Sequence, residues 1–162
     1  MRIYWGDVGA GLALTCEDSI LLTLRSLNVA EGHTWGIPGG AINTEEYLEA
    51  DEGSEEKLSE KEIWHGALRE TKEELGNLPP NLHPYDQVIF SDKKFKFITF
   101  FVEVPKEIKD SWIFHIDNRI DGEVDQAKWF KKTELPNWRD QHPLHFGVKF
   151  LLNRKPNYFT AK

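Results

Sequence analysis

The sequence predicts an α/β fold in which a mixed β-sheet lies between helices. Two short apolar segments, residues 9–16 and 20–26, predict a β-hairpin, because the turn-forming residues Glu17, Asp18 and Ser19 lie between them. Further strand-like and helix-like segments follow without a regular strand–helix alternation. That order favours a sheet of mixed strand direction with helices packed on it.

One helix is predicted with defined ends, over about residues 60–75. Ser59 and Glu62 resemble a capping box, which closes the N-terminal end of a helix. Gly76 is the usual kind of residue after a last helical turn, and two prolines follow shortly. The side chains expected to face the core repeat every four and three residues, and they are Trp64, Leu68, Thr71, Leu75 and Leu78.

The remaining elements are predicted from apolar runs between turn residues. They are strands at 87–91 and 96–104, a loop at 117–122, a short segment at 124–131 and a closing helix at 143–153.

Composition limits the classes of function. The 162 residues are expected to form one domain over 1–162. The net charge of −7 argues against broad attraction to nucleic acid, although a divalent cation can still bridge an acidic protein to a phosphate compound. The single cysteine, Cys16, excludes an internal disulfide and fits a reducing cytoplasm. No leader follows Met1 and no apolar run approaches about 18 residues, so neither secretion nor a membrane span is expected. The oligomeric state stays open.

Glu70, Glu73 and Glu74 form a group of three carboxylates on the predicted helix. Their i, i+3, i+4 spacing places them on one face. Three like charges repel one another, and a hard divalent cation would remove the repulsion because it prefers carboxylate oxygens. The alternative is a solvated acidic face on a surface helix.

The residues around this group resemble the Nudix box. The box consists of a glycine, five residues, a glutamate, seven residues, Arg-Glu, an aliphatic residue, any residue, Glu-Glu, any residue, a glycine and an aliphatic residue. Gly40 and Glu46 match its opening, and Arg-Glu-Thr-Lys-Glu-Glu-Leu-Gly at 69–76 matches its close. The segments Trp-Gly-Ile-Pro-Gly-Gly at 35–40 and Trp-Phe-Lys-Lys-Thr-Glu-Leu-Pro at 129–136 resemble the family before and after the box.

The resemblance implies a fold and an activity. The fold would be a Nudix-type α/β/α sandwich with a mixed β-sheet between helices. The activity would be metal-dependent hydrolysis of a pyrophosphate bond in a nucleoside diphosphate derivative, with Mg²⁺ or Mn²⁺ as cofactor and a small nucleotide as substrate. Residues 91–95 lack the proline or tyrosine that marks other Nudix specificities, so a MutT-type (d)NTP pyrophosphatase is the first expectation. A nucleotide-sugar hydrolase and a non-catalytic nucleotide-sensing Nudix module are the alternatives.

The resemblance also implies roles for individual residues. Glu70, Glu73 and Glu74 would hold the metals, with the backbone carbonyl of Gly39 as a further ligand. Arg69 would support the carboxylates without touching the substrate, which suits its place one and four residues before Glu70 and Glu73, because an arginine can form two hydrogen bonds to a carboxylate. A plain surface ion pair is the alternative for Arg69.

The chain departs from the box in two respects. Twenty-two residues separate Glu46 from Arg69, 15 more than the pattern has, and the extra residues are acidic. An exposed insertion near 45–57 is therefore expected, which leaves the role of Glu46 open. Thr71 and Asn77 stand where the box has aliphatic residues.

Three residues outside the helix are candidates on weaker grounds. Glu123, in an Asp-Gly-Glu-Val turn, is the candidate general base because the family often carries a late glutamate as base or further metal ligand. The alternative is a plain turn carboxylate, in which case the base would be a box glutamate such as Glu73, or absent. Trp35 is a candidate for stacking on a nucleobase, with core packing as the alternative. Arg25 is a candidate phosphate contact, or else an exposed charge at a strand edge.

Two further pairs of residues are candidates, one for contacts to a base and one for a metal site. Asp117 and Asn118 are candidates for reading base edges from a loop, but solvated turn residues fit them better. His142 and His145 have the spacing of a metal pair, yet Pro143 lies between them and no nearby carboxylate completes a zinc site.

Overall fold

The structure is a computed structural model that describes residues 8–26, 32–42, 59–91, 95–116, 124–137 and 143–159. Some of the expectations above concern residues outside these ranges. They involve the insertion near 45–57, Glu46, Asp117, Asn118, Glu123 and His142.

The described strands form one mixed sheet. They are β1 (Val8–Cys16), β2 (Ser19–Arg25), β3 (Trp35–Gly36), β4 (Gly39–Ala41), β5 (Pro84–Ser91), β6 (Lys96–Glu103) and β7 (Val124–Lys131). The order across the sheet is β3–β2–β1–β6–β5, while β4 also pairs with β1 and β7 with β2. The β1–β6 pair is parallel and the other pairs are antiparallel. The mixed strand direction expected from the sequence is therefore confirmed.

The N-terminal hairpin has the predicted form. β1 and β2 pair antiparallel, with Thr15 opposite Ile20 and Cys16 opposite Ser19. Glu17 turns the chain with a φ of 53°, in the left-handed region that tight turns use. The later strands match the predicted ones closely, except that β5 begins three residues earlier than expected, at Pro84.

Three α-helices lie wholly within the described ranges, namely α1 (Glu60–Leu75), α2 (Lys106–Ser111) and α3 (Phe146–Arg154), and short 3-10 helices cover Lys132–Glu134 and Pro156–Phe159. α1 has the predicted bounds. Ser59 and Glu62 form both hydrogen bonds of the capping box, at 3.2 and 3.1 Å, and Gly76 ends the helix with a φ of 84°. None of the helices in these ranges is long and apolar enough to cross a membrane.

The sheet separates two hydrophobic clusters, one beneath α1 and one beneath α3. Because side chains alternate along a strand, Leu12 and Leu14 of β1 pack with Ala67 of α1, whereas Ala13 packs with Leu151 of α3. β1 is buried on both faces, which accounts for its nearly continuous apolar sequence. This layering confirms a sheet between helices.

The buried face of α1 differs from the predicted stripe. Thr71 and Leu75 are buried as expected, but Trp64, Leu68 and Leu78 are only half-buried at the edge of the cluster. The other buried positions of α1 are Ile63, Gly66 and Ala67, which lie on the same face of the helix as the three box carboxylates. Gly66 allows the close approach, because a Cβ there would lie 2.9 Å from the side chain of Ile42. α1 is thus rotated so that its carboxylate face turns toward β4.

Candidate active site

β4 brings a glycine pair against β1. Gly39 and Gly40 pair with Gly11 and Ala10 of β1. Gly39 has a φ of +148°, a conformation that favours glycine, and a Cβ there would overlap the backbone of Ala10 and Gly11. The Gly-Gly sequence is therefore required by the backbone at this point of the sheet.

Two of the box carboxylates reach this glycine pair from α1. The Glu74 carboxylate accepts a hydrogen bond from the Gly39 N–H at 3.3 Å. The Glu70 carboxylate lies over Gly40, where a Cβ would come within 2.9 Å of Glu70 Oε2. The structure thus joins the two parts of the box in space. The Gly39 N–H donates to the Glu74 carboxylate. The family resemblance implied a different contact, in which the Gly39 carbonyl is a metal ligand.

Arg69 lies beside two of the box carboxylates, those of Glu70 and Glu73. Its Nη2 is 3.5 Å from Glu70 Oε1, and its Nε is 3.8 Å from Glu73 Oε1. The Glu70 side chain is 16% exposed and that of Glu73 is 53% exposed. These long contacts place Arg69 beside the carboxylates, as the resemblance implies, and the pair with the half-exposed Glu73 contributes little to stability.

The donor set on this face suits a hard cation. Glu70, Glu73 and Glu74 offer carboxylate oxygens, which Mg²⁺ and Mn²⁺ prefer. Within the described ranges, no three acidic, histidine or cysteine side chains converge on one point. Glu74 is instead held by Gly39, and Glu70 and Glu73 lie toward Arg69. A cation would have to compete with these contacts, so the residues fit the ion in chemistry and would adjust their rotamers to hold it.

A cavity of about 240 Å³ adjoins β4 on the side that faces α3. It lies between β4, strands β5 and β6, and the start of α3. Its lining residues are Arg25, Ile37, Gly39, Gly40, Ala41, Val88, Phe90, Phe95, Phe97, Thr99, His145, Phe146, Gly147 and Phe150.

Phenylalanine rings from several elements form the cavity walls. Phe90 of β5 meets Phe146 and Phe150 of α3 edge-on, with ring centroids 5.5 and 5.1 Å apart. Phe97 of β6 lies over β1, because a Cβ on Gly9 would come within 2.7 Å of its ring. The small Gly9 therefore makes room for a cavity ring.

The structure separates the two predicted substrate contacts. Arg25 lines the cavity, in agreement with a place near a ligand. Trp35 does not, since it is 9% exposed and packs edge-on against Phe130 at 4.9 Å within the core beneath α3. The core-packing alternative describes Trp35, so the tryptophan is left out of the candidate site.

Most of the cavity residues could not be identified from the sequence. Phe146 and Phe150 carry an i, i+4 spacing that indicates one helix face, but nothing in the sequence shows that Phe90 lies opposite them. From the sequence, His145 was a candidate only for a metal pair with His142. In the structure its Nδ1 accepts a hydrogen bond from the Gly147 N–H at 3.1 Å, so this nitrogen caps α3.

The family model for the NUDIX domain matches residues 7–147. This range contains α1, the glycine pair and every cavity residue except Phe150. A comparison with curated proteins found no match.

Three solved structures show the same fold. A MutT NUDIX hydrolase from Burkholderia pseudomallei is 20% identical with a TM-score of 0.58, and the match covers 92% of this chain and 97% of that chain. A C. elegans Ap4A hydrolase, solved as a binary complex, is 17% identical with a TM-score of 0.57, over 94% and 96%. The NUDIX domain of Shewanella oneidensis NrtR, solved with ADP ribose, is 18% identical with a TM-score of 0.53, over 96% and 90%.

Proposed function

Because the chain belongs to the NUDIX domain family, we propose that it is a metal-dependent hydrolase that cleaves a pyrophosphate bond in a nucleoside diphosphate derivative. The first choice of substrate class is a (d)NTP, hydrolysed as by a MutT-type pyrophosphatase. The observation that carries the proposal is the meeting of Glu70 and Glu74 with the glycine pair at β4, next to a cavity walled by phenylalanine rings.

The carboxylate face of α1 would hold the cation. Glu70, Glu73 and Glu74 are the proposed ligands, and Arg69 keeps Glu70 and Glu73 oriented when they are not engaged. A bound Mg²⁺ or Mn²⁺ would supply Lewis acidity, polarising the phosphoryl group and making an attacking water more acidic. The diphosphate would lie along β4, where backbone can approach closely because residues 39 and 40 have no side chains.

The reaction is a hydrolysis. A water oxygen forms a bond to one phosphorus, the bond from that phosphorus to the bridging oxygen breaks, and the leaving phosphate retains the bridging oxygen. The proton that the water loses needs an acceptor. Glu123 remains the candidate base, and it lies outside the described residues.

The cavity suits a planar nucleobase better than it suits the sugar group of a nucleotide sugar. Aromatic side chains bind the faces of a planar ring through stacking. A sugar offers several hydroxyl groups, and each one buried without a partner costs about 1–3 kcal/mol. Among the described residues that line the cavity, Arg25, Thr99 and His145 are the ones with polar side chains. Arg25 is in place to meet a phosphate or the edge of a base.

The test is a substrate panel. Purified protein is incubated with Mg²⁺ and with the four dNTPs, the NTPs, ADP-ribose, Ap4A and UDP-glucose, and the products are separated by chromatography. The expected result is release of pyrophosphate and a nucleoside monophosphate from one or more triphosphates, abolished by chelating the metal. Cleavage of UDP-glucose alone would favour the nucleotide-sugar alternative. Tight binding without any product would favour a nucleotide-sensing module.

We also propose a single domain over residues 1–162 acting in a reducing cytoplasm. The one cysteine, Cys16, is buried at the end of β1. Burial, and next the nearby Glu103 carboxylate, raises the pKa of its thiol. A buried thiol with a raised pKa is poorly reactive, which agrees with a structural role for Cys16.

A further inference from the structure

His145 links the start of α3 to the cavity. It is the N-cap residue of the helix, and its Nδ1 accepts the hydrogen bond from the Gly147 N–H. His145, Phe146 and Gly147 all line the cavity. The residues that cap the helix are therefore the same residues that form one wall of the cavity.

The cap requires the neutral imidazole. A ring nitrogen that accepts a hydrogen bond carries no proton, so the neutral ring of His145 has its proton on Nε2. Protonation adds a proton to Nδ1, and that nitrogen can then no longer accept from Gly147. The imidazolium would also face the positive end of the α3 dipole. Protonation of His145 and capping of α3 are thus mutually exclusive.

Among the described residues, Arg25 is the charged side chain that the contacts place near His145. Arg25 of β2 approaches it, because a Cβ on Gly36 would contact both side chains, at 3.2 Å from His145 Cβ and 3.8 Å from Arg25 Cδ. Lys149 of α3 contacts His145 through its backbone N–H, which donates to the His145 carbonyl at 3.2 Å, and the His145 N–H donates to the Trp35 carbonyl of β3. Neither Arg nor Lys ordinarily changes charge between about pH 5 and 8. Histidine is the side-chain type whose ordinary pKa lies in this range.

The cap sets the position of one cavity ring. Phe146 is the first residue of α3, and its ring lies 4.7 Å from the His145 ring and 5.5 Å from Phe90. Phe150 lies one turn further into the helix and also meets Phe90. Loss of an N-cap loosens the first turn most, so Phe146 would move while Phe150 stays.

We propose that His145 is a positioning residue that makes substrate binding depend on pH, with tight binding when the imidazole is neutral and weaker binding when it is protonated. The inference rests on the proposed function, because it takes the cavity to hold the substrate's base. It assigns to His145 an effect on KM and none on the bond-breaking step.

The experiment compares the parent with His145→Asn, His145→Ala and a control, His83→Asn, which changes an exposed histidine before β5. Asparagine caps helices well and does not titrate, so His145→Asn keeps the cap at every pH. KM and kcat for GTP with Mg²⁺ are measured at about pH 7.5 and 5.5, on either side of the ordinary histidine pKa of about 6.5. Dividing the parent KM by the His145→Asn KM at each pH cancels the effect that titration of GTP itself has on KM.

The expected result is that this ratio rises about fivefold at the lower pH, the equivalent of a lost cap, with the kcat ratio unchanged. His145→Ala should have a raised KM at both pH values, and His83→Asn should follow the parent. Equal pH dependence of KM in the parent and His145→Asn would overturn the proposal.

A second measurement needs no hydrolysis. In ¹⁵N NMR spectra without ligand, the Gly147 amide and the His145 ring nitrogens should titrate together in the parent, and the Gly147 amide should not titrate in His145→Asn. A Gly147 amide signal that stays unchanged while the His145 ring titrates would overturn the proposal, even if the enzyme is active. If no nucleotide is hydrolysed, the proposed function fails, and the NMR result alone decides whether His145 controls the cavity wall.

Discussion

The three box carboxylates have different surroundings. Glu74 is tied to the backbone of Gly39 and Glu70 is mostly covered, whereas the Glu73 side chain is more than half exposed. An exposed carboxylate with a 3.8 Å ion pair adds little to folding stability. A change at Glu73 therefore reports on catalysis with little interference from folding.

Glu73→Gln keeps the size of the side chain and removes its charge. We expect a loss in kcat on the order of 10²-fold or more, by comparison with other lost electrostatic contacts in active sites. Steady-state product release measures it, and Glu107→Gln on the exposed face of α2 is the matched control. Parent-like activity in Glu73→Gln would remove Glu73 from the site.

Thr71 carries a polar group in the core. The residue is fully buried on α1, and its hydroxyl has no hydrogen-bond partner among the described residues. A buried hydroxyl without a partner is destabilising, and the Nudix box has an aliphatic residue at this position.

Thr71→Val keeps the branched shape and removes the hydroxyl. We expect the free energy of unfolding to rise by about 1 kcal/mol, because desolvation of an unsatisfied hydroxyl is avoided. Urea denaturation measures the change, and Thr71→Ala, which also removes a packed methyl group, should be less stable than Thr71→Val. A less stable Thr71→Val would show that the hydroxyl has a partner.

The role of Glu123 is open to a kinetic test. If Glu123 takes the proton from the attacking water, Glu123→Gln should lose most of its turnover, keep its metal affinity, and lose the acidic limb of the pH–rate profile. An unchanged profile would leave a box glutamate such as Glu73 as the base, or no base at all.

At the scale of elements, short-range signals predicted α1 well. Ser59, Glu62 and Gly76 act on their immediate neighbours, so the bounds of the helix followed from the sequence. Its rotation depends on Ile42, which packs against Gly66 and is not part of the helix. Tertiary packing of this kind leaves no periodic mark within the helix itself.

Other elements were missed because they carry too little pattern. α2 has six residues, none of them buried, and β4 has only three residues. The closing helix was predicted from residue 143 but begins at Phe146, because His145 takes the extended conformation of a cap residue. Histidine is not among the usual N-cap residues, so this start was not expected.

An ion pair joins the end of α3 to β5. Lys155 Nζ lies 2.6 Å from Asp86 Oδ2, and the hydrogen bond from Lys155 lowers the pKa of the Asp86 carboxyl. The two side chains are 38% and 42% exposed, so solvent screens the pair and its contribution stays below about 1 kcal/mol.

The pH dependence of this pair has a definite sign. A carboxyl whose pKa is lowered by folding stabilises the protein above its unfolded pKa of about 3.9, and the stabilisation is lost as pH falls through the folded value. Asp86→Asn should therefore be slightly less stable than the parent at neutral pH, and the difference should vanish in acid. Thermal denaturation at neutral and acidic pH measures this, and a difference that persists in acid would exclude the ion pair as its cause.

For the whole molecule, the site could be predicted only in part. The carboxylate face and the glycine pair have a sequence signature because each is a short contiguous motif. The cavity has none, since Phe90, Phe97 and Phe146 come from separate elements that the strand order brings together. For Trp35 the sequence suggested a contact that the structure does not show. The tryptophan stands beside the glycine motif in the sequence, but its side chain lies in the core.

The acidic insertion provides a test at this scale. The described sheet and helices form two hydrophobic clusters. Deleting 45–57 should leave the fold intact, since the entropy of closing a surface loop depends only weakly on its length. Circular dichroism and the unfolding midpoint measure this, and a change in substrate preference would place the insertion near the site. Failure to fold would show that Tyr47 and Leu48 anchor the segment in the core.

The parallel pairing of β1 with β6 has a consequence for how the protein is made. Val8 pairs with Lys96, so the central strand acquires this neighbour only after nearly 90 intervening residues have been synthesised. Until β6 leaves the ribosome, the apolar edge of β1 is uncovered and open to association with other chains. Nascent chains stalled with β6 still inside the exit tunnel should therefore bind chaperones for longer than chains stalled after β6 has emerged. The hairpin of β1 and β2, which needs only local contacts, can form early in either case.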